Sequence, residues 1–317
     1  MKPNDNSAPG QADRKRQLRG SLLLLLGSVI WGAAFAAQRA GMEHLGPMTF
    51  TGIRMLLGAA VLTPAVIAAE RKNRKTPGQK REQRRAGLLC GLFLFAASVL
   101  QQIGLVSTTA GKAGFITALY VVLVPVAAWL LFRKNPGKII WLSVTLAVAA
   151  LYLLCIPADG LILQTGDLLV LGCAVCFTGQ ILCVDRYAPR VSGIRLARDE
   201  FLITGGLSLL IALFTETIAW EGIREALIPI LYTGIMSSAV GYTLQIYGQR
   251  DTDPTVASIL MCLESVFALL TGILLLGERM TGRESAGCVI MFAAVILAQL
   301  SPFAAEHRKS REKPDMR

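Results

Sequence analysis

Apolar residues run through this chain in ten blocks of roughly twenty, separated by short polar connections. The blocks cover residues 20–40, 47–69, 86–106, 110–132, 138–156, 166–185, 199–219, 225–249, 254–277 and 284–303. A helix needs about 20 mainly apolar residues to cross a hydrocarbon core ~30 Å thick. Ten such crossings occupy about 200 residues, which leaves no room for a soluble catalytic domain. The pattern predicts an all-α integral membrane fold of ten transmembrane helices in a lipid bilayer. Short connections make neighbouring helices antiparallel.

Composition sharpens this picture. Of 317 residues, 53% are hydrophobic and 17% charged, with a mean hydropathy of +0.53. A soluble domain carries about a quarter charged residues, and here the charges collect in tails and connections. The net charge of +11 has no basic face with interleaved aromatics behind it, so a nucleic-acid partner is not expected. The charge sets orientation instead. With the N-terminus in the cytoplasm, the cytoplasmic segments hold 26 of the 32 Lys and Arg residues and the external ones 5, with Arg54 inside a span. The positive-inside rule therefore puts both termini on the cytoplasmic side of a cell membrane, read as a bacterial cytoplasmic membrane. The external connection Gly277–Glu284, with Arg279 and Arg283, fits least well. Residues 71–85 carry eight Lys or Arg and read as a solvated loop near anionic headgroups. The first block follows Arg14-Lys15-Arg16, as a signal peptide would, but its length and the spans behind it mark a retained helix.

Shifting the chain by 144 residues lays Leu100-Gln101 on Leu244-Gln245, Gly104 on Gly248, Thr108 on Thr252 and Ala113 on Ala257. This internal match divides the chain into a tail (1–19), a first five-helix repeat (20–157), a second five-helix repeat (158–303) and a C-terminal tail (304–317). An odd number of helices makes the second repeat enter the membrane from the opposite side. The predicted architecture is thus two inverted repeats about an axis in the membrane plane, which suits alternating access to a midplane site.

Chemistry-bearing motifs are sparse. All seven cysteines lie in apolar segments, which argues against a disulfide framework. Cys173 and Cys176 have CxxC spacing, but no second Cys or His pair completes a zinc site, and neither metal nor cofactor is expected. The two histidines, His44 and His307, lie outside the spans. No phosphate loop, HExxH or GxSxG occurs, so an enzyme is not expected. A channel would need a polar stripe or filter. A membrane-embedded enzyme, a channel or an assembly protein without a transport cycle stand as alternatives to a transporter.

The polar residues inside the spans are the candidate site. Glu264 lies near the middle of its span, ~15 Å of helix from either end. It reads as a substrate-amine contact or protonatable coupling site, or as a carboxyl satisfied by hydroxyls or by Arg54. The offset places Tyr120 opposite it. Arg54, ~10 Å deep, reads as a structural or coupling residue that snorkels or pairs. Gln101, Gln102, Gln180 and Gln245 serve as interhelical glue or cavity lining. Tyr242 shares a helix face with Gln245, and the mid-span Trp31 reads as a pocket wall. The substrate-binding set is Trp31, Gln101, Tyr120, Gln180, Tyr242, Gln245 and Glu264. Pro64, Pro125 and Pro229 can kink their helices.

Several segments carry a resemblance. They are Trp31-Gly32-Ala33-Ala34-Phe35, Arg54, the run from Thr109 through Pro125, and Leu263-Glu264-Ser265 with Leu276-Gly277-Glu278-Arg279. In order and spacing they resemble the EamA-type branch of the drug/metabolite transporter superfamily over about residues 20–302. Ser265 departs where that family often has proline, and Phe132-Arg133-Lys134-Asn135 departs where it often has a GE pair. The resemblance implies a ten-helix permease, often an exporter, whose partner is a small-molecule substrate such as an amino acid or related compound. A homodimer is left open.

Overall fold

The computed structural model describes residues 9–72, 76–108, 110–133, 135–156, 164–276 and 280–311. The first repeat contains α1 (Pro9–Met42), α2 (Pro47–Lys72), α3 (Pro77–Ser107), α4 in two segments (Ala110–Ala118 and Tyr120–Phe132) and α5 (Lys138–Cys155). The second contains α6 (Thr165–Tyr187), α7 (Gly193–Thr215), α8, α9 in two segments (Pro254–Met261 and Leu263–Leu276) and α10 (Gly282–Arg311). The helix α8 runs as Leu227–Leu231, a π-helical stretch Tyr232–Tyr242, and Thr243–Arg250. A single helical turn, Trp220–Glu225, precedes it.

Among the described residues, nine helices are long and apolar enough to cross a membrane. The tenth crossing is α7, whose first turns carry Arg195, Arg198, Asp199 and Glu200. Three of these pair at the end of the bundle: Arg195 with Glu70 of α2 and, at 3.5 Å, with Asp199, and Arg198 with Asp199 at 2.6 Å.

Several helices outrun their apolar blocks. Residues 77–85, expected as solvated loop, are the first turns of α3. Thr76 and Gln79 form a reciprocal capping box there, with Pro77 at the first helical position, and this satisfies orphan backbone donors where hydropathy gives no signal. Likewise α7 starts six residues before its predicted block, at Gly193 rather than 199, because its charges find partners. The helix α1 begins at Pro9 and α10 runs to Arg311, so parts of both predicted tails are helical. Residues 277–279 of the arginine-bearing connection lie outside the described residues. Arg283, just beyond them, donates to the Tyr152 carbonyl at 3.3 Å and sits 5.1 Å from the Tyr152 ring centroid, which fixes the start of α10 at the end of α5.

Burial departs from that of a soluble protein on the outside, while the interior holds an apolar core, with Phe50, Phe201 and Leu151 fully buried, together with polar side chains. Apolar side chains such as Leu131, Phe214 and Ile228 are exposed on the outside, while Gln102, Ser143, Glu200 and Thr204 are buried. Helix association in lipid depends on close packing and internal polar contacts. The repeats interleave to provide both. The helix α3 of the first repeat packs on α6 of the second, and α8 packs on α1; α2 pairs with α7 and α5 with α10. Every one of these contacts maps onto itself or another when the repeats are exchanged.

Candidate functional site

The axis relating the repeats passes where α4 and α9 are interrupted. The breaks fall at Leu119 and Cys262, each carrying a tight turn: Val122 N–H donates to the Leu119 carbonyl at 2.9 Å and Ser265 N–H to the Cys262 carbonyl at 3.1 Å. The interruption of α9 lies three residues before Ser265, so it forms without the proline that the resemblance led one to look for. The second segments begin with Tyr120 and with Leu263-Glu264. The Tyr120 hydroxyl donates to Glu264 Oε1 at 3.4 Å, and the Cys262 thiol donates to the Ala118 carbonyl at 3.8 Å. Both pairs are separated by 144 residues, the same offset read in the sequence.

Beside this crossing lies a cavity walled by both repeats. The helix α1 contributes Trp31, Ala34, Phe35 and Gln38, spaced i, i+3, i+4 and i+7 on one face. Arg54 enters from α2, Gln101 from α3, Thr117 and Tyr120 from α4, Phe177 and Ile181 from α6, Ser237, Tyr242 and Gln245 from α8, and Met261 and Glu264 from α9. Six of the seven residues expected to form a binding set line it, with Arg54. Gln180 does not. It lies buried behind Gln245 and is engaged on both sides: Gln245 Nε2 donates to its Oε1 at 3.1 Å, and its own Nε2 donates to Glu200 Oε2 at 3.3 Å. Its amide completes a chain reaching Gln249, which accepts from Gln245 at 3.1 Å, and is not a cavity wall.

The walls are held by specific contacts. The Trp31 indole N–H donates to the Ser237 carbonyl at 3.1 Å, and its ring meets Tyr242 edge-on at 5.1 Å. Phe201 backs Tyr242 at 5.7 Å. Gln101 Nε2 donates to Thr117 Oγ1 at 3.1 Å. Arg54 is 3% exposed. Its Nε is buried with no hydrogen-bond partner, and among the described residues no ion pair includes it. The expected alternative of an Arg54–Glu264 pair is therefore not formed. Glu264, 7% exposed, is held by Tyr120 instead. Gln38 and Gln245 each present a buried Oε1 without a partner.

Gln38, Thr117, Phe177 and Ser237 were not picked out from the sequence. Gln38 had a usable signal, since it lies seven residues after Trp31 on the same α-helical face. Glu200 was not singled out either, although it lies inside the predicted block 199–219.

The architecture defines a polytopic membrane protein with inverted repeats, interrupted helices at its centre and a cavity there lined by both polar and apolar side chains. The sequence profile of the EamA-like transporter family matches residues 18–156 and 164–300, and the chain belongs to that family. An uncharacterized transporter of Archaeoglobus fulgidus is 28% identical over 92% of this chain and 89% of its own length. The S-adenosylmethionine/S-adenosylhomocysteine transporter of Chlamydia trachomatis is 26% identical over 81% of each chain. A solved crystal structure has a TM-score of 0.74 at 18% identity, covering 89% of this chain and 96% of that one, a likeness of fold. The protein is a membrane transporter of the EamA type.

Proposed function

We propose that this chain is a secondary transporter, a permease that exports small metabolites such as amino acids or related compounds, by alternating access around the central cavity. The observation that carries the reading is the meeting of two interrupted helices at Tyr120 and Glu264, on the wall of a cavity built from both repeats. Discontinuous helices at the interface of inverted repeats are where such transporters place substrate and coupling sites. A carboxylate at that depth is costly in lipid and belongs on a cavity or a partner. The chlamydial relative is named for S-adenosylmethionine, itself an α-amino acid, which supports the substrate class. The charge asymmetry supports cytoplasmic termini in a bacterial cell membrane, and no catalytic motif supports an enzyme instead.

The test is counterflow in proteoliposomes holding the purified full chain and pooled amino acids, amines and sugars. Labelled solute should exchange, and its direction under an imposed gradient should favour export. No exchange of any solute under any gradient would sink the reading. In the same vesicles, Glu264→Gln should flatten the dependence of transport on pH across the mildly acidic to mildly basic range; an unchanged profile removes Glu264 as the coupling group.

A further inference from the structure

We propose that Arg54 is the anion-binding subsite of the cavity, so that the transported solute carries an anionic group and an ammonium at once. The inference rests on the transport reading above and narrows its substrate class to zwitterions.

A guanidinium kept for structure alone is normally saturated with acceptors, because it has five donors and cannot lose its proton. Arg54 lacks that saturation. Its Nε is buried with no acceptor, no carboxylate among the described residues pairs with it, and its side chain lines the cavity. An unpaired buried charge is costly, and a ligand carboxylate entering the cavity would relieve it with a planar two-point contact.

The rest of the cavity has the opposite character. Glu264 accepts from Tyr120 through Oε1 and keeps further lone pairs. The Oε1 atoms of Gln38 and Gln245 are buried without donors. In Gln245 that oxygen cannot be exchanged with the nitrogen without loss, since Nε2 already donates to Gln180 and Gln249. One cationic residue with an unpaired donor and three residues with acceptors, one of them a carboxylate, therefore line a single cavity. An ammonium offers donors to the acceptors and a carboxylate accepts from the guanidinium. A sugar would leave Arg54 without a counter-charge, and a simple amine would add a second cation beside it.

The backbone keeps Arg54 in place. A Cβ at Gly234 of α8 would lie 3.0 Å from the Arg54 carbonyl oxygen, so α2 passes against the π-helical stretch at this residue. Its side chain cannot withdraw by moving the helix away without opening that contact.

The experiment uses the full chain in nanodiscs, with thermal unfolding measured against three matched series of probes. These are the common α-amino acids together with S-adenosylmethionine, their carboxamides, and their deaminated acids. At least one zwitterion should stabilise the chain at a concentration at least about tenfold below its carboxamide, the discrimination expected for a charge-assisted contact in a buried site. Arg54→Gln should erase that difference while leaving the carboxamide response unchanged, and Glu264→Gln should erase the difference between the zwitterion and its deaminated acid. Should either variant fail to fold, the wild-type discrimination decides alone. No stabilisation by any zwitterion, or equal stabilisation by zwitterion and carboxamide, overturns the proposal. Counterflow of an uncharged sugar overturns it while leaving the transport reading standing. Discriminating binding without counterflow has the reverse effect.

Discussion

The third helices of the two repeats, α3 and α8, end alike but differ in the turns before that end. Both carry a glutamine on the cavity, Gln101 and Gln245, and both end in a glycine pressed against the first helix of the other repeat. A Cβ at Gly104 would lie 2.9 Å from the Gly166 carbonyl oxygen, and one at Gly248 would lie 2.9 Å from that of Gly20. Before these points α3 is an uninterrupted α-helix and α8 is π-helical from Tyr232 to Tyr242. In an α-helix, residues five apart diverge by roughly 140°. So it is on α3, where Phe93 is 37% exposed and Ser98 only 1%. Their counterparts 144 residues on, Ser237 and Tyr242, both line the cavity, because the wider turn puts them on one side. Likeness at the C-terminal ends sets the packing there, and its loss in the preceding turns shapes the cavity wall. Side-chain size follows the same division. Where α8 has Gly234 and Gly241, α3 has Cys90 and Ala97.

The shared part should be the most sensitive to substitution. Gly104→Val and Gly248→Val each force a branched side chain against backbone atoms of a neighbouring helix, and neither helix can yield alone. Each should lower the unfolding free energy in detergent by about 3 kcal/mol, the upper part of the range for overpacking. The two losses should agree within error. A tolerated valine at one site and not the other would break the claim that the two ends are equivalent.

The glutamines should separate where the glycines agree. Gln101 donates once, to Thr117. Gln245 donates to both Gln180 and Gln249, so removing it strands two buried acceptors. Gln245→Leu should lower stability by about 2 kcal/mol and Gln101→Leu by about 1 kcal/mol, read by the same unfolding measurement. Equal losses would mean that the amide chain behind Gln245 contributes nothing, and Gln180 would return as a candidate for direct solute contact.

Much of the shared framework was legible in the sequence, and the reasons are physical. Lipid requires long apolar helices, so hydropathy located ten of them. The repeat offset paired Tyr120 with Glu264 because residues related by the axis and close to it must meet. What hydropathy could not reveal was helix continuing through charge, as at Pro77 and Gly193, where capping and ion pairs replace apolar burial. Nor could α-periodicity reveal a π-helical stretch. The spacing of Ser237 and Tyr242 is wrong for one α-helical face, so Ser237 went unnoticed and Tyr242 was placed by its distance from Gln245 alone. Gln180 illustrates the remaining gap: a buried amide reads the same whether it faces a cavity or another amide.

The smallest expected effect bears most directly on the asymmetry. A π-turn shifts the backbone bonding pattern by one residue, and the Ser237 carbonyl accepts from the Trp31 indole at 3.1 Å. The Tyr232 hydroxyl answers from α8 to the Ile30 carbonyl at 2.8 Å. On the opposite wall α6 presents Phe177, which has no donor to offer. Trp31→Phe therefore removes this donor from α1 while keeping an aromatic wall. Loss of one hydrogen bond to a partly buried carbonyl should lower stability by about 1 kcal/mol or less. The greater change should fall on solute affinity, since the ring that meets Tyr242 is freed to turn. Gly241→Ala approaches the same ring from behind, with a Cβ 2.8 Å from the Trp31 indole nitrogen, and should weaken solute binding in the same direction. If Trp31→Phe altered stability as much as Gln245→Leu does, the π-helical stretch would be a main support of the fold rather than a local adaptation of one wall. If neither substitution moved affinity, the wall formed by α1 and α8 would lie outside the site, and the cavity residues of α2, α4 and α9 would have to hold the solute alone.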